Sequence, residues 1–121
     1  MNLIKIHEDK RGYVYTIEDE HLGYPEMTFF FTRKGFARGG CIHTEHDEHF
    51  SVVSGDLLFY CGDDIQRLSS GMSYLTPKNT PHYLIAKEDC MVIEWGANKE
   101  EKGVKDPKFR EIVNNINDKS D

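Results

Sequence analysis

Apolar and polar positions alternate along most of the chain in short runs: LIKI, YVYTIE, MTFFFTRK, FSVVS, LLFYC, MSYLT, HYLIAK and CMVIEW. These runs are rich in β-branched and aromatic residues, which suit a pleated, half-buried surface. The segments between them, DKRG, SGD, GDD, SSG and PKNTP, have turn compositions. About eight strands at this spacing predict an all-β sandwich or barrel. The period changes once. From Asp106 the sequence DPKFREIVNNIN places Phe109, Ile112, Val113 and Ile116 at i, i+3, i+4 and i+7, with Asp106 suited to cap a helix and Pro107 to its first turn. One amphipathic helix is therefore expected from about Asp106 to about Ile116, its apolar stripe covering a sheet or a partner subunit. The expected organisation is a β-barrel over residues 1–98, followed over residues 99–121 by a connector, Lys99 to Lys105, and the helix.

Composition narrows the partners. A chain of 121 residues is large enough for one hydrophobic core and not for two. The net charge of −6 comes from dispersed acids with no basic block or stripe, which argues against nucleic acid and anionic lipid as partners. The N-terminus, MNLIKIHEDKRG, has charges where a signal peptide has its apolar core, and no run approaches the roughly 20 apolar residues of a membrane span. A cytoplasmic protein is expected. Cys41, Cys61 and Cys90 are odd in number and widely spaced, which suits free thiols better than a disulfide framework.

The densest chemistry lies in GCIHTEHDEH, residues 40–49, where three histidines, three acids and a cysteine precede an apolar run. Strand alternation points Cys41 and His43 one way and Ile42 the other, and it groups Glu48 with Phe50 and Val52. A hairpin through Thr44 to Asp47 would then aim Cys41, His43 and Glu48 into one barrel mouth. His82 is the candidate fourth ligand, because it opens a strand directly after TPKNTP. His46 falls in the turn and His49 on the face away from Glu48, so both are expected to be solvated. Cys61 and Cys90 are expected in the core, and His7 and His21 carry no pattern. Of Phe29, Phe30 and Phe31, one ring must face away from the other two. Arg33 and Arg38 are candidate clamps for a phosphate or carboxylate, although an arginine on a strand is more often a surface charge.

The spacing Cys41-x-His43-x4-Glu48-x6-Gly55 resembles the first motif of the cupins, with cysteine in place of the first histidine. Gly71-x5-Pro77-x-Asn79-x2-His82 resembles their second motif, with asparagine for its second glycine and Ala86 where asparagine is frequent. The resemblance implies a double-stranded β-helix, or jelly-roll barrel, with a divalent metal held by Cys41, His43, Glu48 and His82. Within the cupins, the EDKRG turn and Arg38-Gly39-Gly40-Cys41 resemble elements of sugar-nucleotide isomerases and epimerases. In that group the histidine after RG-x is a catalytic base, and here its place is taken by Cys41.

Two histidines and a carboxylate suit Fe(II), Mn(II), Ni(II) or Zn(II), and a Cys41 thiolate would shift preference toward Zn(II). Three functions are compatible with such a site. The first is an isomerase or epimerase acting on a nucleotide-sugar or similar small carbonyl compound, with His43 or His82 as base and a phenol such as Tyr60, Tyr74 or Tyr83 as acid. The second is an Fe(II)-dependent dioxygenase of a small molecule, and the third is a non-catalytic ligand-binding or sensing module. A small molecule in the barrel and a homodimer are the expected partners.

Overall fold

The computed structural model describes residues 2–18, 27–96 and 103–120. His21 and residues 99–102 of the expected connector lie outside them. In chain order the elements are β1 (Asn2–Asp9), β2 (Gly12–Glu18), β3 (Met27–Thr32), β4 (Ala37–Ile42), β5 (Glu48–Ser54), β6 (Asp56–Cys61), β7 (Asp64–Ser69), β8 (Ser73–Thr76), β9 (His82–Ala86), β10 (Cys90–Trp95), β11 (Val104–Lys105) and the helix α1 (Pro107–Lys119).

The strands form two antiparallel sheets, ordered β1-β2-β3-β10-β5-β8 and β11-β4-β9-β6-β7, as a jelly-roll barrel requires. Alternation explains the core between them. Phe50 and Val52 of β5, Val92 of β10 and Phe30 of β3 face Leu57 and Phe59 of β6 and Leu84 of β9, all of them buried. Each large side chain so buried contributes about 1.5–3 kcal/mol. Cys61 and Cys90 belong to the same core. Of the three consecutive phenylalanines only Phe30 turns inward, leaving Phe29 and Phe31 half-exposed on the outer face of the larger sheet.

The outer face of the smaller sheet is covered instead. Asp106 caps α1 by accepting a hydrogen bond of 2.9 Å from the Phe109 amide, and Pro107 occupies its first turn. Val113, with Phe109, Ile112 and Ile116, packs on Ala37, Tyr83, Tyr60 and Ile85. The helix also closes the free edge of β4. The Asn117 side-chain amide donates to Ala37 O at 3.0 Å and its oxygen accepts from Ala37 N at 2.8 Å. Arg110 Nη1 donates to Gly39 O, the Asp106 amide donates to Gly40 O, and β11 pairs with Cys41 and Ile42. A strand edge that would otherwise offer unpaired backbone groups is thus occupied from end to end. The expected connector therefore contains a short strand, and the helix runs three residues beyond Ile116.

One local expectation needs correction. Residues 44–47 do not close a hairpin, because β4 and β5 belong to different sheets. The chain crosses the barrel mouth there, so His43 and Glu48 approach each other from opposite sheets.

Candidate metal centre

Four strands supply the site. At the mouth of β4, β9 places His82 opposite Cys41, and β9 to β4 pairing runs through Ala37↔Ile85, Arg38↔Leu84 and Gly39↔Tyr83 before shifting by one residue ahead of Cys41↔His82. Gly40 is the extra residue of this bulge. Gly39 and Gly40 have φ of 116° and 95°, a region open to glycine and strained for other residues. A Cβ on Gly39 would lie 2.7 Å from His82 O, and one on Gly40 would lie 2.7 Å from Arg110 Cδ. The consequence is a change of phase: Arg38 and Cys41, three residues apart, both line the same cavity. A regular strand would place them on opposite faces.

The turns hold the histidines. The Asn79 amide donates to His43 O at 2.7 Å, and the Lys78 amide donates to Asp47 Oδ1 at 2.8 Å, so PKNTP is stitched to the segment that crosses the mouth. Asn79 has φ of 63°, which explains how asparagine serves where the motif usually has glycine, since it tolerates this region better than most side chains. His82 Nδ1 lies 3.2 Å from Thr80 O. A carbonyl only accepts, so Nδ1 donates, and the neutral ring presents its Nε2 lone pair to the site.

His43 Nε2 lies 3.2 Å and His82 Nε2 3.4 Å from Glu48 Oε1, with Glu48 only 5% exposed. Glu94 on β10 completes the arrangement. Among the described residues, His43, Glu48 and Glu94 are the group whose donor atoms lie within 4.8 Å of one another, and His82 adjoins it through Glu48. Cys41 lines the same cavity but stands outside that group. Burial, then the charge of Glu48 and a hydrogen bond with it, hold the Glu94 carboxyl well above the usual carboxylate range, opposed by the His82 and His43 imidazoles. Two close carboxyl groups facing two imidazole nitrogens form a donor set of the kind that takes a divalent cation. His43, Glu48, Glu94 and His82 would hold it. Burial also raises the Cys41 thiol, with Arg110 and Lys105 pulling the other way.

Behind this cluster lies a cavity of about 220 Å³ whose remaining wall is mostly apolar, including Phe30, Phe50, Phe59 and Leu84. Of the three candidate tyrosines, Tyr60 and Tyr74 do not line it, and Tyr83 does, with its ring packed against Tyr60 and Phe109. Tyr60 points outward, its ring stacked at 4.5 Å on Tyr83 beneath α1. Tyr74 packs its ring on Phe59, but its hydroxyl donates to Asp64 Oδ2 at 2.8 Å, and burial together with that bond pushes its pKa up. His46 is exposed, and His49 stacks on Trp95 on the outer face at 5.1 Å. Arg33 lies outside the cavity lining, whereas Arg38 is 8% exposed and within it. Sequence reasoning passed over Glu94, although CMVIEW carried the signal: Cys90, Val92 and Glu94 share one face, and the first two are core residues.

Residues 34–96, just over half of the chain, match the family model described as Cupin domain. The chain is a cupin. No curated protein sequence matches it. Among solved structures, this cupin is similar to the capsular polysaccharide assembling protein CapF from Staphylococcus aureus, with 17% identity and a TM-score of 0.68 over 88% of this chain and 32% of that one. It is also similar to KdgF from Halomonas sp., with 21% identity and a TM-score of 0.65 over 80% and 89% of the two chains. Oxalate decarboxylase from Bacillus subtilis gives 15% identity and a TM-score of 0.70 over 84% and 29%. The chain thus spans about a third of the length of CapF and of the decarboxylase, and at these identities the likeness is one of fold.

Proposed function

We propose that this cupin binds a divalent metal through His43, His82, Glu48 and Glu94 and acts as an isomerase- or epimerase-type enzyme on a small carbonyl compound of sugar size. The observation that carries the reading is the convergence of two imidazoles and two carboxyl groups in one cluster, at a cavity that His43, His82 and Glu94 line. When bound, the metal supplies Lewis-acid polarisation of a carbonyl. The chain's own residues then position the compound against the apolar wall and move a proton at the carbon beside the carbonyl, with the second oxygen of a cluster carboxyl group, Glu48 or Glu94, as base, because His43 and His82 commit their Nε2 lone pairs to the metal. A cavity of about 220 Å³ is smaller than the roughly 300–1,000 Å³ of drug-sized sites. It accommodates a single sugar unit, with any nucleotide portion outside the barrel. Neither Tyr60 nor Tyr74 lines the cavity, so neither serves as acid in this arrangement.

The two-histidine, one-carboxylate subset also supports a second reading, an Fe(II)-dependent dioxygenase. Elemental analysis of protein purified without added metal, followed by proton exchange into a carbonyl substrate in D2O, tests the first reading, and oxygen uptake on Fe(II) reconstitution tests the second. We also propose a cytoplasmic homodimer built on the larger sheet, whose outer face carries Tyr13, Phe31 and Trp95, all half-exposed. No helix among the described residues is long and apolar enough to cross a membrane.

A further inference from the structure

Arg38 sits in the cavity wall, and among the described residues no carboxylate is in contact with it: Asp9 attracts its charge only at longer range, and the Arg11 guanidinium beside Asp9 opposes that attraction. Its Nε donates to Thr32 Oγ1 at 2.8 Å and its Nη2 to Phe31 O at 3.0 Å, both neutral acceptors, and Thr32 is itself fully buried. The ion-paired arginines among the described residues are Arg11, with Asp9, and Arg67, with Asp56; no described carboxylate lies within 4 Å of the Arg38 guanidinium. A buried cation without a contacting counter-ion is expensive, and a surface-facing side chain at this position would avoid the cost. The chain does the opposite. It spends two consecutive glycines with positive φ on a bulge whose effect is to bring Arg38 onto the cavity face that also holds Cys41 and His43.

We propose that Arg38 is the carboxylate-binding residue of the cavity, so that the ligand is a small organic monoacid with its carboxylate on Arg38 and its carbonyl or hydroxyl group toward His43, His82 and Glu94. With Nε and one Nη2 proton engaged by Thr32 and Phe31, the guanidinium is oriented and keeps Nη1 and the second Nη2 proton, the end-on pair that matches a carboxylate. Charge favours a monoanion over a phosphate ester, because among the described residues a single guanidinium and no lysine lines the cavity. The wall between the two ends is formed by Phe30, Phe50, Phe59 and Leu84, which suits a short carbon chain. This inference rests on the reading of the cavity as a ligand site, and it narrows the small carbonyl compound to a carboxylic acid.

The test compares a branched 2-oxo acid, 4-methyl-2-oxopentanoate, with its neutral amide, 4-methyl-2-oxopentanamide, by calorimetric titration of the full chain as purified. The wild type is expected to bind the acid at least tenfold more tightly than the amide. Arg38→Gln is expected to remove that preference by weakening the acid alone, with metal content unchanged. Thr32→Val keeps the guanidinium but removes the oxygen that orients Nε, and a smaller loss confined to the acid is expected. The wild-type comparison stands even if Arg38→Gln does not fold. Equal binding of acid and amide, or binding of neither at millimolar concentration, overturns the proposal, as does an acid preference that survives in folded Arg38→Gln. Protein that proves free of metal yet keeps an Arg38-dependent acid preference would overturn the metal reading and leave this one standing. Metal-loaded protein without any acid preference would do the reverse.

Discussion

Glu48 and Glu94, on the neighbouring strands β5 and β10, bring carboxyl oxygens to within 4.8 Å of each other and of a His43 ring nitrogen. Two carboxyl groups this close disfavour full ionisation unless a cation lies between them and the facing imidazoles. Glu48→Gln keeps the shape and removes one charge. Its metal content is expected to fall at least tenfold, while the metal-free protein unfolds no earlier than the wild type. Elemental analysis and thermal denaturation of the two proteins check both halves, and unchanged metal stoichiometry would make Glu48 only a strand residue near the mouth.

The histidines separate cleanly by position. His43→Ala or His82→Ala is expected to abolish metal binding, since each removes a nitrogen that no neighbour replaces at the same distance. His46→Ala and His49→Ala are expected to leave it intact. Cys41→His should retain metal or bind it more tightly, because residue 41 already faces His82 across the sheet and an imidazole reaches further into the cavity than a thiol. Equilibrium dialysis of the five variants decides the matter; an effect of His46→Ala as large as that of His43→Ala would mean that the inner face is misassigned.

Gly39→Ala tests the bulge. The new Cβ would meet the backbone at His82 O and Tyr83 Cα, 2.7 and 2.8 Å away, neither of which moves without β9. Overlap combined with positive φ should cost about 2–4 kcal/mol in denaturant unfolding. Because β9 carries His82, metal affinity should fall in parallel, and a variant as stable as the wild type would show that the bulge is dispensable.

The bulge also marks where sequence reasoning stopped. The strands, the helix and its cap were legible because period and turn chemistry are local. The motif spacing located His43, Glu48 and His82 for the same reason. Arg38 was not legible as a buried residue: counting back by twos from His43 and Cys41 puts it on the outer face, and only the extra residue at Gly40 reverses that. The double glycine was visible in ARGGC, but its register shift is a property of the pairing with β9. The crossing of residues 43–47 between sheets was hidden likewise, because a short polar turn looks the same whether it joins paired strands or spans a barrel mouth.

Asp9 supplies a pH test away from the site. Burial would raise its carboxyl, but hydrogen bonds from Arg11 and His7 outweigh this and hold it well below the usual carboxylate range. A depressed carboxyl contributes stability that is present above its unfolded value of about 3.9 and is lost as pH falls toward the folded value. Asp9→Asn is therefore expected to cost about 0.5–1 kcal/mol at pH 7, after solvent screening, with the difference shrinking below about pH 4. Urea titrations at pH 7, 5, 4 and 3 measure it; a pH-independent difference would assign the effect to something other than charge.

The larger sheet predicts association. Tyr13 stacks on Phe31 at 5.3 Å and Trp95 on His49 at 5.1 Å, and Leu3 and Leu75 on the same sheet are 64% and 51% exposed. Among the described residues no helix covers this face, in contrast to the smaller sheet under α1. Light scattering at micromolar concentration is expected to return twice the 14.0 kDa chain mass. A monomer there would reject the dimer, and Phe31→Glu should produce one if the dimer is built on this face.

The edge of β4 is closed by residues far along the chain: Asn117 bonds Ala37 across 80 positions, and Arg110 and Asp106 reach back to Gly39 and Gly40. The strand that carries Arg38 and Cys41 thus stays half-finished while a nascent chain is still being extended, even after both sheets have been synthesised. Domains assemble as units once their distant contacts become available. All the cavity-lining residues precede residue 95, so during synthesis the last contribution to this cupin's site is the closure of the β4 edge, which waits for the stretch up to residue 117.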